Sequence, residues 1–161
     1  MINIKNPAVY LLFFSSVALA NSPVNVVSFT CERAEKNYIE RYEMRIVSAS
    51  PSQKAKVFMD DRDLDQIDSH TRQVVNSVVI TEPSIFFASE AFFRPEEFDG
   101  IRYEAGTVMT MTTINRQTGK LKKIETIQGG ILSKKLGDGT RVYEEQCEPL
   151  KQNISDLKFQ Q

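Results

Sequence analysis

The clearest regularity in the chain is a period of two. Tyr42, Met44 and Ile46 fall on one face of an extended segment and Glu43, Arg45 and Val47 on the other, the alternation of a strand with one buried side. Enrichment in β-branched and aromatic residues extends this reading to eight segments: VNVVSFTC (24–31), YEMRIVS (42–48), KVFMD (56–60), QVVNSVVI (73–80), SIFFASEAFF (84–93), GTVMTMTTI (106–114), KLKKIETI (120–127) and TRVYEEQC (140–147). Turn chemistry separates them. SASPSQ follows the second segment, and Pro83 in Thr81-Glu82-Pro83 sets φ and removes a ladder donor. NRQTG places Gly119 where a hairpin needs a positive φ, RPEEFDG reads as a loop, and LGDG precedes the last segment. The seventh segment alternates poorly because Leu121, Ile124 and Ile127 stand three apart, which predicts a bulge or a strong twist. About eight strands with short connections predict an all-β, mainly antiparallel meander, closed as a barrel or folded as a sandwich. Beyond it, Leu150, Ile154 and Leu157 have the spacing of a short C-terminal helix.

The first twenty residues break the pattern. Lys5, the apolar run from Ala8 to Phe14 and on to Val17, and the small-residue close Ala18-Leu19-Ala20 have the layout of an export signal, with cleavage expected after Ala20. The run is too short for a membrane span, and no later stretch reaches the roughly 18 apolar residues a spanning helix needs. Asn21 stands where a lipid anchor would require cysteine. The expected organisation is a signal at 1–20, one antiparallel β domain over 21–149 and a tail over 150–161. Such a domain is long enough to bury a core. Lys5 is the only charge in the signal, so its removal takes the net charge from −1 to −2, a balance that argues against nucleic acid as a partner. The two cysteines, Cys31 and Cys147, are read as one disulfide of an exported protein. It would fasten the first strand to the last, where the seam of a closed sheet is expected.

Candidate chemistry centres on DDRDLDQIDSH, Asp60 to His70. Asp61, Asp63 and Asp65 match the first three ligand positions of a calcium loop. Gln66, however, stands where that loop needs glycine, and Arg72 where it needs a bidentate glutamate. A solvated acidic connection or one capped helical turn is the reading. His70 is the one histidine of the chain, so a zinc site, a Ser-His-Asp triad or a Cys-His pair would each depend on it alone. No Gly-x-Ser-x-Gly elbow occurs, and pairs of carboxylates among 21 acidic residues arise by chance. The expectation is a protein without catalysis, metal or other cofactor.

Two clusters could instead contact a partner. Phe86, Phe87, Phe92, Phe93 and Phe98 make up half of the ten phenylalanines. They either fill a strand buried on both faces and close one end of the core, or leave Phe92, Phe93 and Phe98 exposed as an apolar patch for a protein or lipid. Arg116, Lys120, Lys122 and Lys123 gather at the NRQTG hairpin, as a solvated tip or as a contact for an anion or acidic partner.

The segments SFTCE, TINRQTGKL and EEQCEP resemble those of small exported bacterial β-proteins of uncharacterised function, which often carry an Arg-x-Thr-Gly hairpin late in the chain. That resemblance implies no activity. The layout is also similar to the periplasmic inhibitors of c-type lysozyme, small antiparallel barrels with a comparable cysteine arrangement. Their Ser-Gly-x-x-Tyr and Trp-x-Lys-Gly segments are absent here, and the chain has no tryptophan, so no inhibitory residue carries over. Two functional classes follow. The first is a periplasmic or secreted protein-binding module using Phe92, Phe93, Phe98, Arg116 and Lys120, with inhibition of a cell-wall hydrolase such as lysozyme as a special case. The second is a carrier of a small apolar ligand inside the barrel, which requires an interior that Phe and Met leave unfilled. Exposure of Phe92 and Phe93 favours the first, and an open inward-facing pocket favours the second.

Overall fold

The computed structural model describes residues 25–34 and 36–150. The expected signal and the tail beyond Leu150, with its helical spacing, lie outside them. In chain order the elements are β1 (Val26–Ala34), β2 (Ile39–Val47), β3 (Lys56–Met59), β4 (Arg62–Asp63), β5 (Gln66–Ile67), β6 (Thr71–Ile80) and β7 (Ser84–Phe93), followed by β8 (Glu96–Phe98), β9 (Ile101–Tyr103), β10 (Gly106–Asn115), β11 (Lys120–Gly129), α1 (Gly130–Leu136) and β12 (Gly139–Pro149). The eight segments expected from alternation are β1, β2, β3, β6, β7, β10, β11 and β12. The four additional strands are two or three residues long, too short to show a period.

Ten strands form one antiparallel sheet in the order β4-β3-β2-β1-β12-β11-β10-β7-β6-β5. Read as a ring, this is a meander. Its two edge strands, β4 and β5, are separated in the chain only by Leu64 and Asp65, so the sheet curls until its edges meet and forms a nearly closed barrel. The seam therefore lies in the acidic run. Cys31 and Cys147 are bonded across β1 and β12, in the middle of the sheet order rather than at its edges, which corrects the expected position of the seam.

Local chemistry explains the other departures. RPEEFDG is a hairpin, β8 and β9, because Asp99 and Gly100 take φ 52° and 73°, the backbone that a two-residue Asp-Gly turn favours. Gly119 has φ 71°, as NRQTG predicts. β11 carries no bulge: it pairs without a register shift with both β10 and β12. The irregularity sits instead on β6, between Val75 and Ser77. A short helix also follows β11. Gly129 and Gly130, at φ 65° and 70°, let the chain leave the strand sharply, and a Cβ on Gly106 would stand 2.6 Å from the Gly129 carbonyl oxygen. Small residues thus let α1 seat against β10 and β11.

Alternation directs one face of every long strand inward. Phe29 and Cys31 of β1, Met44 and Ile46 of β2, Val57 of β3, Val75 of β6, Ile85 and Phe87 of β7, Ile114 of β10, Leu121 of β11 and Cys147 of β12 form the buried cluster. Apolar burial of this kind stabilises the fold by about 25 cal/mol per Å² removed from water.

Candidate functional site

Inside the barrel the apolar cluster does not continue to the end covered by α1. On β11 the inward positions run Leu121, Lys123, Glu125 and Ile127, and their cross-strand neighbours on β10 are Ile114, Thr112, Thr110 and Val108. On the other side stand Glu145, Tyr143 and Arg141 of β12. The poor alternation of KLKKIETI thus has a structural cause: Ile124 faces outward while two charged residues face in. Lys123 does not belong to the solvated hairpin tip, although it lies near it in sequence.

A cavity of about 290 Å³, lined chiefly from β2, β7, β10 and β11, remains under the helix. Met44, Phe87, Phe93 and Ile127 form apolar wall, and Leu132 and Leu136 of α1 cover it. Its polar side is made by Tyr42, Ser89, Thr110, Thr112, Lys123 and Glu125. The Lys123 ammonium lies 3.2 Å from Glu125 Oε1 and 4.0 Å from Glu145 Oε1, with Nζ 4.9 Å from the centre of the Tyr143 ring. One cation is therefore shared between two carboxylates and an aromatic face.

Glu145 is the most enclosed of these groups, its side chain only 1% exposed. The Tyr42 hydroxyl donates to Oε2, while Oε1 has no hydrogen-bond partner among the described residues. A buried carboxylate oxygen without a donor is costly. Burial pushes the Tyr42 phenol well above its usual range; the hydrogen bond to Glu145 and that residue's charge add to this, and the Arg33 charge opposes it. Tyr42 therefore keeps its proton across the physiological range and stays a donor to Glu145.

The acidic run is built into the seam. Asp60 and Asp61 take φ 47° and 60° and turn β3 into β4, and Asp60 Oδ1 accepts from the Glu43 backbone N–H at 2.8 Å. Asp63 Oδ2 pairs with Lys56 Nζ at 2.6 Å, and its Oδ1 accepts from the Asp65 N–H at 3.0 Å. Asp65 Oδ1 accepts from the Val75 N–H at 2.6 Å, which ties the run to β6. Asp68 Oδ1 accepts from the N–H groups of His70 and Thr71. These carboxylates serve the backbone and nearby lysines, so of the two expected forms, an acidic connection or a capped helical turn, the run takes the extended one, with strands β4 and β5 in place of a helical turn.

The five residues singled out for partner binding divide between places. Phe92 and Phe93 are adjacent on β7 and point to opposite sides: Phe92 is 43% exposed on the outer face, and Phe93 lines the cavity. Phe98 is exposed on β8, with Lys135 Nζ 5.4 Å from its ring centre. Arg116 and Lys120 belong to the opposite end of the barrel, at the β10–β11 turn. There Arg116 donates to the Thr81 carbonyl at 2.7 Å, and Lys120 borders an outer groove of about 680 Å³ with Glu32, Thr113, Lys122, Glu144 and Glu145. Sequence reasoning did not single out Tyr42, Glu125 or Glu145. The interruption of apolar alternation at Lys123 and Glu125 was the available signal. Among the described residues no helix is long and apolar enough to cross a membrane. No family model, curated protein or solved structure matches the chain.

Proposed function

We propose that the protein is an exported carrier that holds one small, mainly apolar molecule inside its barrel. The observation that supports this most directly is the cavity of about 290 Å³ under α1, near the lower end of the roughly 300–1,000 Å³ typical of small-molecule sites. Its mixture of apolar wall and a few polar groups is the composition such sites use. The aromatic and methionine residues that could have filled the barrel instead line it, as Met44, Phe87 and Phe93 do. The Cys31–Cys147 disulfide supports an oxidising compartment, in keeping with the signal-like residues 1–20 and with a periplasmic or secreted location.

The test is native mass spectrometry of the protein purified from its own cells without detergent or reductant. A stoichiometric small-molecule adduct is expected. The variant Ala91→Phe, which places a ring in the cavity that Ala91 lines, is expected to keep its β circular dichroism and lose the adduct. An adduct that persists in that variant, or its absence from the unaltered protein, counts against the carrier. A second reading, a protein-binding module, draws on the exposure of Phe92 and Phe98. In the same spectrum it would appear as a bound polypeptide in place of a small mass.

A further inference from the structure

Resting on the carrier reading, we infer that the cavity takes a molecule with an uncharged, hydroxyl-bearing head held by Ser89 and Thr112, and discriminates against both carboxylate and ammonium heads. The warrant is a pair of buried hydroxyls that the protein itself does not use. Ser89 of β7 and Thr112 of β10 are only 6% and 2% exposed, and both line the cavity under α1. Neither hydroxyl is sealed in the wall as Glu145 Oε1 is. Among the described residues, no side chain or carbonyl takes either hydroxyl as a hydrogen-bond partner. A buried hydroxyl without a partner is a cost that the polar group of a bound molecule removes.

The surroundings of the two hydroxyls decide the class of head. Strand register sets them in adjacent inward rows: Ser89, Thr110 and Glu125 across β7, β10 and β11, with Phe87, Thr112 and Lys123 beside them. Lys123 and Glu125 are the only charged residues that line the cavity, and they pair with each other at 3.2 Å. The Tyr42 hydroxyl is likewise committed, to Glu145. No charge is therefore left over in the cavity to meet one on a ligand. A carboxylate or an ammonium would give up its water without gaining a counter-charge. An alcohol instead donates to one free hydroxyl and accepts from the other. The apolar wall of Phe87, Phe93, Ile127 and the two α1 leucines holds the remainder of the molecule.

The experiment is isothermal titration calorimetry of the disulfide-bonded full chain at pH 7 with 1-octanol, octanoate and octylamine, and with ethylbenzene as a probe without a polar head. Octanol is expected to bind at least about tenfold more tightly than either ion. The double variant Ser89→Ala, Thr112→Val is expected to bind octanol about tenfold more weakly and ethylbenzene within about twofold of the parent. It is also expected to melt no lower than the parent, because the hydroxyls it removes have no partner in the protein. Octanoate or octylamine binding as tightly as octanol overturns this inference and leaves the carrier standing. Full octanol affinity in the double variant does the same. So does an equal loss of octanol and ethylbenzene, since the two hydroxyls would then shape the wall without holding the head. A double variant that fails to fold also overturns it, by showing that the hydroxyls serve the fold. Binding of none of the four probes removes the carrier reading itself.

Discussion

Among single residues, Asp65 ties the acidic run directly to β6 across the seam. The ladder between β5 and β6 stops at Gln66 and Gln73, so the backbone N–H of Val75, a residue 1% exposed, has no strand partner on the seam side. Asp65 Oδ1 accepts that hydrogen bond at 2.6 Å, and Lys54 Nζ approaches Oδ2 at 3.2 Å. Removing the acceptor leaves a buried donor unpaired, which costs about 1–3 kcal/mol. Asp65→Ala is therefore expected to lower stability by about 2 kcal/mol in urea denaturation, and Asp65→Asn, which retains an oxygen acceptor, to recover part of that loss. An alanine variant as stable as the parent would mean that the seam closes without this contact. The aspartates themselves are plain in the sequence, and their resemblance to a calcium loop is a by-product of alternate spacing. Their partners are not legible there, because backbone N–H groups ten residues away become neighbours only once the sheet has curled.

At the scale of elements, the seam is the part of the fold that responds to acid. Burial alone would raise the Asp63 carboxyl, but the hydrogen bond from Lys56, the Asp65 N–H and the nearby lysine charges outweigh it and hold the group below its usual range. Asp68 is held low by the N–H groups of Thr71 and His70. A carboxyl depressed in the folded state contributes stability that is present above the unfolded value, about 3.9 for aspartate, and is lost as pH falls toward the folded value. The Leu64 N–H to Val57 bond and the Asp68 N–H to Thr71 bond lie beside these carboxylates. Their exchange with deuterium is expected to accelerate below about pH 4 before that of the β10–β11 ladder. Simultaneous loss of protection across the sheet would show that the seam is not a separate acid-sensitive unit. Elements differed in legibility for physical reasons. The eight long strands announce themselves by alternation, since each has a buried face. β4 and β5 span too few residues to show it. α1 has seven residues, no buried side chain and no side-chain cap, so little in its sequence distinguishes it from a turn; it exists by resting on β10 and β11. In β11 alternation failed because Lys123 and Glu125 serve the cavity, and a sequence that breaks its own pattern at a site gives no indication of which face the exception occupies.

At the scale of the whole molecule, the barrel consists of two meanders joined at two lines. The first contains β1 to β4 and the second β5, β6, β7, β10, β11 and β12, with β8 and β9 forming a separate hairpin; one junction is the acidic seam, and the other is the pairing of β1 with β12. That second junction is short, with four residue pairs from Phe29–Pro149 to Glu32–Gln146, against nine between β1 and β2. The disulfide lies within it, since Cys31 and Cys147 are direct cross-strand partners 116 residues apart in the chain. A loop of that length contributes about 4–5 kcal/mol in the chain-entropy model. The cross-link acts at a short ladder, and through the inner wall, because both cysteines are buried. Replacing both with alanine avoids placing a hydroxyl among Phe29, Met44 and Leu121 in the core. In calorimetry under oxidising conditions this double variant is expected to melt roughly 10–20 °C lower than the parent. Because the β1–β12 junction also positions Glu145 against Tyr42 of β2, which lines the cavity, its loosening is expected to weaken retention of the small-molecule adduct below the melting transition as well. A melting temperature within a few degrees of the parent would show that the four-pair ladder and the seam suffice. Lower stability with an unchanged adduct would separate the two roles, leaving the disulfide to restrain the unfolded chain without shaping the cavity wall.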